Sequence, residues 1–393
     1  MKKTLLALTV LASFAQAAHA ESSVTLYGVV DAPLEFVTNQ ASGAPSLDAN
    51  GLPIPKPGGN RWSLNSSGGL SNSRWGFKAR EDLGGGLSAF FQLENGFGLT
   101  TGQLQQGGRM FGRMAFVGLK SADWGAISFG RQYTTLLEVM ATLGPINLAT
   151  MYEPVTVETG SNYRQDSSIK YVGNFGKVMV EGHYSFSAAQ VIFNGRPVAN
   201  GGNGQIPGHF HDNTAWGIGG TYTDGPMLLA FGVDQFFPSM ATTGTGDNWN
   251  ATKIAVGGSY MVTSDLKLMG GYSYGRTTDQ NNVVVYRGDY FWAGAQYSFT
   301  PFIRSGLGLY YNHLSTMKTS ATAADGRIGN PWQISFFTSY FLSKRTDVYI
   351  VTAYARNAAL DMDNTGNSNI DAYFLTQGAK DQFGVTIGVR HRF

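Results

Sequence analysis

Basic side chains provide the clearest chemistry in this 393-residue sequence. Arg74, Lys78 and Arg80 are separated by even numbers of residues, so an extended strand directs all three toward one face. Lys170 stands in the same phase as Arg164 further along the chain. Fixed charges of one sign select ions when they line a narrow passage, whereas the ordinary alternative is a solvated side chain. Which of the two applies depends on the elements that hold these residues.

Signatures of enzymes and of tight metal sites are missing. The sequence has no cysteine, no G-x-S-x-G, no H-E-x-x-H and neither kind of glycine-rich phosphate loop. His209 and His211 share one loop, where solvated histidines are the commoner outcome. Asp361–Asp371 opens like a calcium-binding loop but lacks a Glu at its twelfth position. We therefore expect no catalytic residues, no metal and no cofactor, with weak binding of Ca²⁺ at external loops left open.

Residues 1–20 have the pattern of a cleaved secretory signal peptide. Two lysines precede an apolar stretch, and Ala18-His19-Ala20 fits the cleavage rule. The apolar stretch is shorter than the ~20 residues that a membrane-spanning helix needs. Cleavage leaves 26 basic and 26 acidic residues, so no basic excess remains with which to bind nucleic acid. We predict an exported protein in which residues 21–393 form a single domain.

Apolar and polar residues alternate along most of the remaining chain. The clearest run is 382–393, where Phe383, Val385 and Ile387 fall on one side and small or charged residues fall on the other. Similar runs occupy 178–186, 227–234, 253–260, 303–311 and 332–336. No stretch of 18 apolar residues follows residue 20, which excludes a helical membrane protein. Alternation alone does not separate a soluble sandwich from a barrel.

The connections between these strands fall into two lengths. Seven short turns lie near 81–86, 121–125, 173–176, 223–226, 263–265, 300–301 and 343–346. Eight loops rich in Gly, Asn, Ser and Thr lie near 38–60, 99–108, 134–161, 188–213, 238–250, 277–288, 314–330 and 357–377. Together they join sixteen strands, and this sorting of connections is typical of outer-membrane barrels. We predict an all-β fold, a 16-stranded antiparallel transmembrane β-barrel with short periplasmic turns and long external loops.

The composition suits a barrel with two unlike faces. Charged residues make up 14% of the chain and aromatic residues 13%, with 52 glycines. In a bilayer only a closed barrel satisfies the backbone groups of every strand, and sixteen strands enclose a water-filled lumen. An arginine on the lipid face at mid-bilayer costs about 2–4 kcal/mol. The basic residues, Arg113 and Arg131 included, are therefore expected in the lumen or near an interface.

Five stretches of the chain carry a family resemblance. They are SVTLYGVVD from Ser23, SRWGFKAREDLGGGL from Ser73 with FQLE from Phe91, GRMAFVGL from Gly112, WGAISFGRQY from Trp124, and the terminal GVRHRF. In this order they resemble the trimeric general porins of Gram-negative bacteria, in the branch of Neisseria, Burkholderia and Bordetella. Each fragment alone is weak, but the combination is specific and spans the whole mature chain.

The resemblance implies a third loop, about 134–161, that folds into the lumen and narrows the pore at mid-height. It implies a basic wall at this constriction, formed by Arg74, Lys78, Arg113 and Arg164. The acids expected to face that wall are Glu138, Glu153 and Glu158. Weaker candidates for the lumen are Asp31, Arg80, Arg131 and Lys170. Many relatives carry a Pro-Glu-Phe-Gly-Gly-like segment where this chain has Leu143-Gly-Pro-Ile146, so the three acids are not ranked.

The resemblance also implies the partners. We expect a homotrimer surrounded by outer-membrane lipids and lipopolysaccharide and inserted by the barrel assembly machinery. Phe393 resembles the terminal signal that this machinery reads, and its position also suits an aromatic girdle. The cargo would be small hydrophilic solutes and ions, with no nucleic acid as partner.

Three functions follow, of which we favour the first. It is passive diffusion through a water-filled channel with a mild anion preference, because the wall cations outnumber the loop acids. The second is a solute-specific porin, which a saturable conductance would indicate. The third is an adhesion or structural barrel with a blocked lumen, which would give no conductance.

Overall fold

The protein folds into sixteen long barrel strands. The computed structural model describes residues 23–160, 163–188, 192–193, 196–197, 204–241, 245–327, 329–365 and 373–393, so the predicted signal peptide lies outside the described residues. The strands are β1 Ser23–Ala41, β2 in two segments (Gly58–Leu64 and Arg74–Gly84), β3 Leu87–Gly96, β4 Met114–Ser121, β5 Gly125–Tyr133, β6 Arg164–Phe175, β7 Val178–Ser185, β8 Thr214–Asp224, β9 Met227–Phe237, β10 Asn250–Met261, β11 Leu266–Thr278, β12 Val284–Thr300, β13 Ile303–Met317, β14 Trp332–Phe341, β15 Thr346–Arg356 and β16 Asp381–Arg392.

Antiparallel pairing closes these strands into a barrel. Each strand pairs with its neighbours in the chain, and β1 also pairs with β16 from Val29 opposite Arg392 to Val37 opposite Gly384. The two segments of β2 pair with the two halves of β1. The prediction of a 16-stranded antiparallel barrel is confirmed. We call the end that carries the short connections the turn end and the opposite end the loop end.

Side chains alternate between the outer and the inner face of the barrel, as the alternation in the sequence predicted. Large apolar residues such as Leu26, Phe231 and Ile387 are about half exposed on the outer face. Their neighbours on the inner face are polar and buried, as Glu35, Gln382 and Thr386 show. An outward apolar band and a polar interior are the two surfaces that a bilayer-spanning barrel requires.

The second strand is interrupted at residues 65–73. Asp31 on β1 holds this interruption, because its carboxylate accepts bonds from the backbone N–H groups of Leu70 (3.1 Å) and Ser71 (2.9 Å). The Tyr349 hydroxyl donates to the same carboxylate. Asp31, expected as a lumen residue, is fully buried instead and fixes the chain path within the wall.

Loop three connects β5 and β6 and lies against the inner face of the barrel. It begins with α1, Thr135–Met140, followed by a 3₁₀ turn, Ala141–Leu143. The Thr134 side chain caps α1 by accepting a bond from the Leu137 N–H at 3.4 Å. Its apolar side chains recur at the helical spacing, so one face of the helix packs on β9, β10, β12 and β13. The packed residues are Leu136, Val139, Met140, Leu143, Ala230, Ala255, Tyr290, Trp292 and Tyr310.

The rest of loop three continues around the wall to β16. Pro145 fits against β12 and β13 only because Gly294 and Gly306 lie there, since a Cβ at Gly294 would lie 2.4 Å from the proline ring. Beyond it, Ile146, Met151 and Tyr152 join a buried cluster with β14 and β15. A second short helix, α2 Val155–Thr159, precedes the return to β6. Among the described residues, no helix has the length and apolarity to cross a membrane.

Candidate functional site

Loop three divides the inner wall into a covered part and an open part. Its buried side chains contact the strands from β9 round to β15, and the Tyr152 hydroxyl donates to Glu35 on β1 at 2.9 Å. The strands that it leaves largely uncovered are β2 to β6. The remaining passage therefore runs between loop three and this open wall, where the basic residues of the sequence are concentrated.

Two arginines meet at one acid on the open wall, and a third arginine lies close by. Arg74 comes from β2 and Arg113 from the residue before β4, and both contact Glu94 on β3. The Arg113 Nε–Glu94 Oε1 distance is 2.5 Å, and the Arg74 Nε–Glu94 Oε2 distance is 3.7 Å. The nearby Arg164 adds a third guanidinium group, so the cluster carries an excess of positive charge over the single Glu94 carboxylate.

Tyr133, the last residue of β5, joins Arg164 to this group. Its hydroxyl accepts bonds from Arg113 and from Arg164, each at 3.1 Å. The Arg164 guanidinium also lies over the Tyr133 ring, 4.6 Å from its centroid. A cation over an aromatic face is held electrostatically as well as by packing. Arg74, Arg113 and Arg164, predicted to share the constriction, are thus brought together in one cluster.

Among the described residues, the remaining predicted cations are of two kinds, those without an ion pair and those held in one. Lys78 lies over the Tyr27 ring at 5.4 Å, and within the described ranges neither it nor Arg80 forms an ion pair. Both are exposed. Arg131, by contrast, shares Asp166 with Arg109, at Nη1–carboxylate distances of 2.6 and 2.8 Å. Unlike Lys78 and Arg80, Arg131 is therefore held in an ion pair.

Glu138 and Lys170 form a second contact between loop three and the wall. The Lys170 ammonium pairs with Glu138 on α1 and, at 2.8 Å, with Glu181 on β7. Lys170 is almost fully buried, whereas the Glu138 side chain keeps 37% of its surface. Of the three predicted loop acids, Glu138 is the one that reaches the passage, although it pairs with Lys170 and not with the arginine cluster.

The other two predicted loop acids lie on the wall side of loop three. Glu153 accepts backbone bonds from Ile146 (3.1 Å) and Ala149 (3.0 Å) and a bond from the Tyr310 hydroxyl (3.1 Å). It is 2% exposed, and Glu158 is 1% exposed. The structure thus places both acids away from the arginine cluster, where they anchor the loop to the wall.

Burial changes how these two acids titrate. Loss of solvent raises the pKa of Glu153 to about 7. Burial, together with the charge of Glu153, raises the pKa of Glu158 well above its ordinary value. A carboxyl whose pKa is raised on folding favours the packed state while it is protonated, and that advantage is lost progressively as the pH rises from the ordinary pKa to the raised one.

We expect the packing of loop three to weaken as the pH rises from about 4.5 toward 7 and above. Glu158→Gln imitates the protonated acid, so the variant should gain a few degrees of thermal stability relative to the wild type at pH 8 and little at pH 5. Thermal unfolding of both proteins across this range measures the difference. Parallel curves for the two proteins would contradict the assignment.

Three site residues were missed by sequence reasoning. Glu94 and Tyr133 lie inside stretches that carried the family resemblance, but neither was given a role. Tyr27 donates to Glu94 at 2.9 Å and accepts from Gln92 at 2.6 Å, which ties the acid to β1. The sequence did offer a signal for Glu94. Gln92 and Glu94 are two residues apart on one strand, so both side chains face the same side of the sheet.

The C-terminal residue closes the seam of the barrel. Phe393 and Gly28 exchange two backbone hydrogen bonds of 3.0 and 3.1 Å. The Phe393 ring lies over Gly28, where any Cβ would come within 2.4 Å of it. The ring stays 44% exposed, as an aromatic at the rim of the barrel would be.

No cluster of three or more His, Asp or Glu residues suited to a metal occurs among the described residues. The predicted calcium segment, 361–371, falls mostly outside the described residues. Calcium binding there stays a prediction.

A closed barrel with an apolar outside, a polar inside and a loop folded along its inner wall defines a transmembrane channel of the β-barrel class. The chain belongs to the Gram-negative porin family, whose model matches residues 7–360. It is therefore an outer-membrane porin that forms a water-filled channel.

Relatives cover the whole chain. An outer membrane porin protein of Bordetella pertussis is 31% identical over 418 residues, and outer membrane porin protein 32 of Delftia acidovorans is 26% identical over 409 residues. Each alignment covers 100% of both chains. Among solved structures, an anion-selective porin from Comamonas acidovorans matches with a TM-score of 0.72 at 23% identity, covering 95% of this chain and 100% of that one. A trimer form of OmpT from Vibrio cholerae matches with a TM-score of 0.63 at 17% identity, covering 95% of this chain and 99% of that one.

Proposed function

We propose that the passive channel of this porin conducts ions and small hydrophilic solutes with a mild preference for anions. The observation that carries the proposal is the uneven distribution of charge across the passage. Among the described residues of the open wall, the guanidinium groups of Arg74, Arg113 and Arg164 lie together with a single carboxylate, that of Glu94, which pairs with the first two. On the facing loop, Glu138 is paired with Lys170 of β6, and Glu153 is turned to the wall. An ion in the passage therefore meets a net positive surface.

The positive charges along β2 also favour a preference for anions. Arg74, Lys78 and Arg80 face one side of the strand, and the last two are exposed toward the turn end. A run of like charges beside a narrow water column raises the local concentration of counter-ions. The name of the Comamonas acidovorans structure describes an anion-selective porin, in agreement with this direction, while the proposal itself depends on the charges of this chain.

Planar bilayers and liposome swelling test the channel function. The purified protein should add current in discrete steps whose size is linear in KCl concentration, and small sugars should enter liposomes at rates that fall with solute size. A conductance that saturates with one solute would support a solute-specific porin instead. Absence of steps from folded protein would support an adhesion or structural barrel.

We also propose that the protein is a homotrimer held in outer-membrane lipids and lipopolysaccharide. The apolar outer face supplies the surface for contacts with lipids and between subunits. The trimer form of Vibrio cholerae OmpT shares the fold. Light scattering of the detergent-solubilised protein should give three times the chain mass. A mass of one chain in mild detergent would contradict the trimer.

We propose that the signal peptide is removed after Ala20 and that barrel assembly machinery recognises the Phe393 end. The bonds of Phe393 to Gly28 join the C-terminal residue to the first strand, where the sheet closes. We propose no catalytic role. N-terminal sequencing of membrane-inserted protein should begin at Glu21, and a start at Met1 would contradict cleavage.

A further inference from the structure

A cavity lies in the open wall between loop three and the turn end. It has a volume of 350 Å³ and is bounded by inward residues of β2 to β6, with Glu138 of loop three on one side. Ser88 and Lys120, which face each other across β3 and β4, mark its boundary toward the turns. A solute that has passed the arginine cluster therefore reaches this cavity before it leaves the channel.

The floor of the cavity is aromatic. Phe90 on β3 and Phe116 on β4 lie with ring centroids 6.1 Å apart at an angle of 73°. Gly118 lies beneath the Phe90 ring, and a Cβ there would come within 2.7 Å of it, so the glycine lets the ring lie against the wall. Met114 extends this apolar surface and is itself buried. Such a floor is unusual for the polar inside of a channel, which water otherwise fills.

The rim of the cavity toward the turn end is basic. Arg80 and Lys120 both line it, and in the described part of the chain neither forms an ion pair. Both also line a second depression at the turns, which contains Asp82. The cation deeper in the cavity, Lys170, is already paired with Glu138 and Glu181. The charge available to a ligand is thus positive and located at the rim, beside an apolar surface.

We propose that this cavity is a binding subsite for small aromatic carboxylates. Arg80 and Lys120 bind the carboxylate, and the ring of the ligand packs on Phe90 and Phe116. The class follows from the pairing of the two surfaces, because inorganic anions leave the aromatic floor unused and neutral rings leave the cations unused. This inference rests on the proposed channel function. It adds a class of solute that binds inside the channel during its passage.

Block of chloride current by benzoate tests the subsite. In KCl, benzoate added at the turn end should reduce the single-channel current at concentrations about tenfold below those required for acetate, which lacks the ring, or for benzamide, which lacks the charge. Equal block by acetate and benzoate would overturn the aromatic part of the proposal. Equal block by benzamide would overturn the role of the cations.

Two variants probe the two surfaces separately. Lys120→Gln and Phe116→Leu should each raise the half-blocking concentration of benzoate by about fivefold. Lys120 is exposed, so its replacement leaves the packing of the barrel intact even if Phe116→Leu yields no channels. Lys344→Gln removes the same charge from a turn between β14 and β15, away from the cavity, and should leave the block unchanged. The same loss of block in Lys344→Gln as in Lys120→Gln would overturn the site.

The reversal potential in the same bilayers separates this inference from the function on which it rests. An anion-selective channel that benzoate does not block would overturn the subsite and leave the proposed selectivity in place. A channel without anion preference that benzoate still blocks would overturn the selectivity and leave the subsite supported.

Discussion

Replacing Glu153 by alanine should raise the single-channel conductance and its noise. Glu153 is 2% exposed and accepts bonds from the N–H groups of Ile146 and Ala149 and from the Tyr310 hydroxyl. Without the carboxylate these donors stay buried and unpaired, at a cost of about 1–3 kcal/mol each. A segment that loses several such bonds separates from the wall, and the passage that it narrows becomes wider and less constant.

Two control variants show whether the effect belongs to the anchor. Glu153→Gln keeps the shape and one acceptor oxygen, so its conductance should lie between those of wild type and Glu153→Ala. Glu138→Gln removes an acid from the same loop without touching the anchor, and its conductance should stay near the wild-type value. A Glu153→Ala channel with wild-type conductance and noise would show that loop three is held by its apolar contacts alone.

Removing Arg74, which belongs to the arginine cluster, together with the exposed Lys78 should strongly reduce the anion preference. A unit charge acts on an ion 4 Å away with about 1 kcal/mol in bulk water, which corresponds to about a fivefold change in local ion concentration. The Arg74→Gln, Lys78→Gln double variant should therefore lower the chloride-to-potassium permeability ratio several-fold at low salt. Screening should shrink the change at high salt, where the Debye length falls to about 3 Å.

A double variant of paired cations supplies the matched control. Arg131 is paired with Asp166 and Lys177 with Asp224, at distances of 2.6 and 2.7 Å. The Arg131→Gln, Lys177→Gln protein loses the same total charge from positions whose cations are already paired. Its reversal potential should move less than that of the first variant. Equal shifts in both proteins would mean that total charge, and not the arginine cluster, sets selectivity.

The sequence was sufficient to predict the barrel because parity and connection length are local properties. The alternation around Ile387 indicated the outer face directly, and the seven short turns together with the eight longer loops indicated the strand number. The interruption of β2 at 65–73 had no such signal, because it depends on a bond from Leu70 to Asp31, a residue 39 positions earlier. The loop predicted at 277–288 is shorter than expected, since β11 continues to Thr278 and β12 begins at Val284.

The side chains of the candidate site could be placed from the sequence only on strands whose alternation of inward and outward residues is unbroken. Arg74 and Lys78 share a regular strand and do share a face. Arg131 lies at the register shift between Gly130 and Gln132, and its pairing with Asp166 was not visible from spacing. The anchoring role of Glu153 was also hidden, because it depends on how loop three folds back on itself. Types of residue showed that acids were present, but not which side of the loop they occupy.

The sign of the zero-current potential tests the central claim most directly. Wild-type channels between two KCl solutions of unequal concentration should give the potential of an anion-preferring pore, and its size should grow as the mean salt concentration falls. Such a result would show that fixed positive charge on the wall sets the ion selectivity. A potential near zero, or one of cation-preferring sign at low salt, would contradict the account.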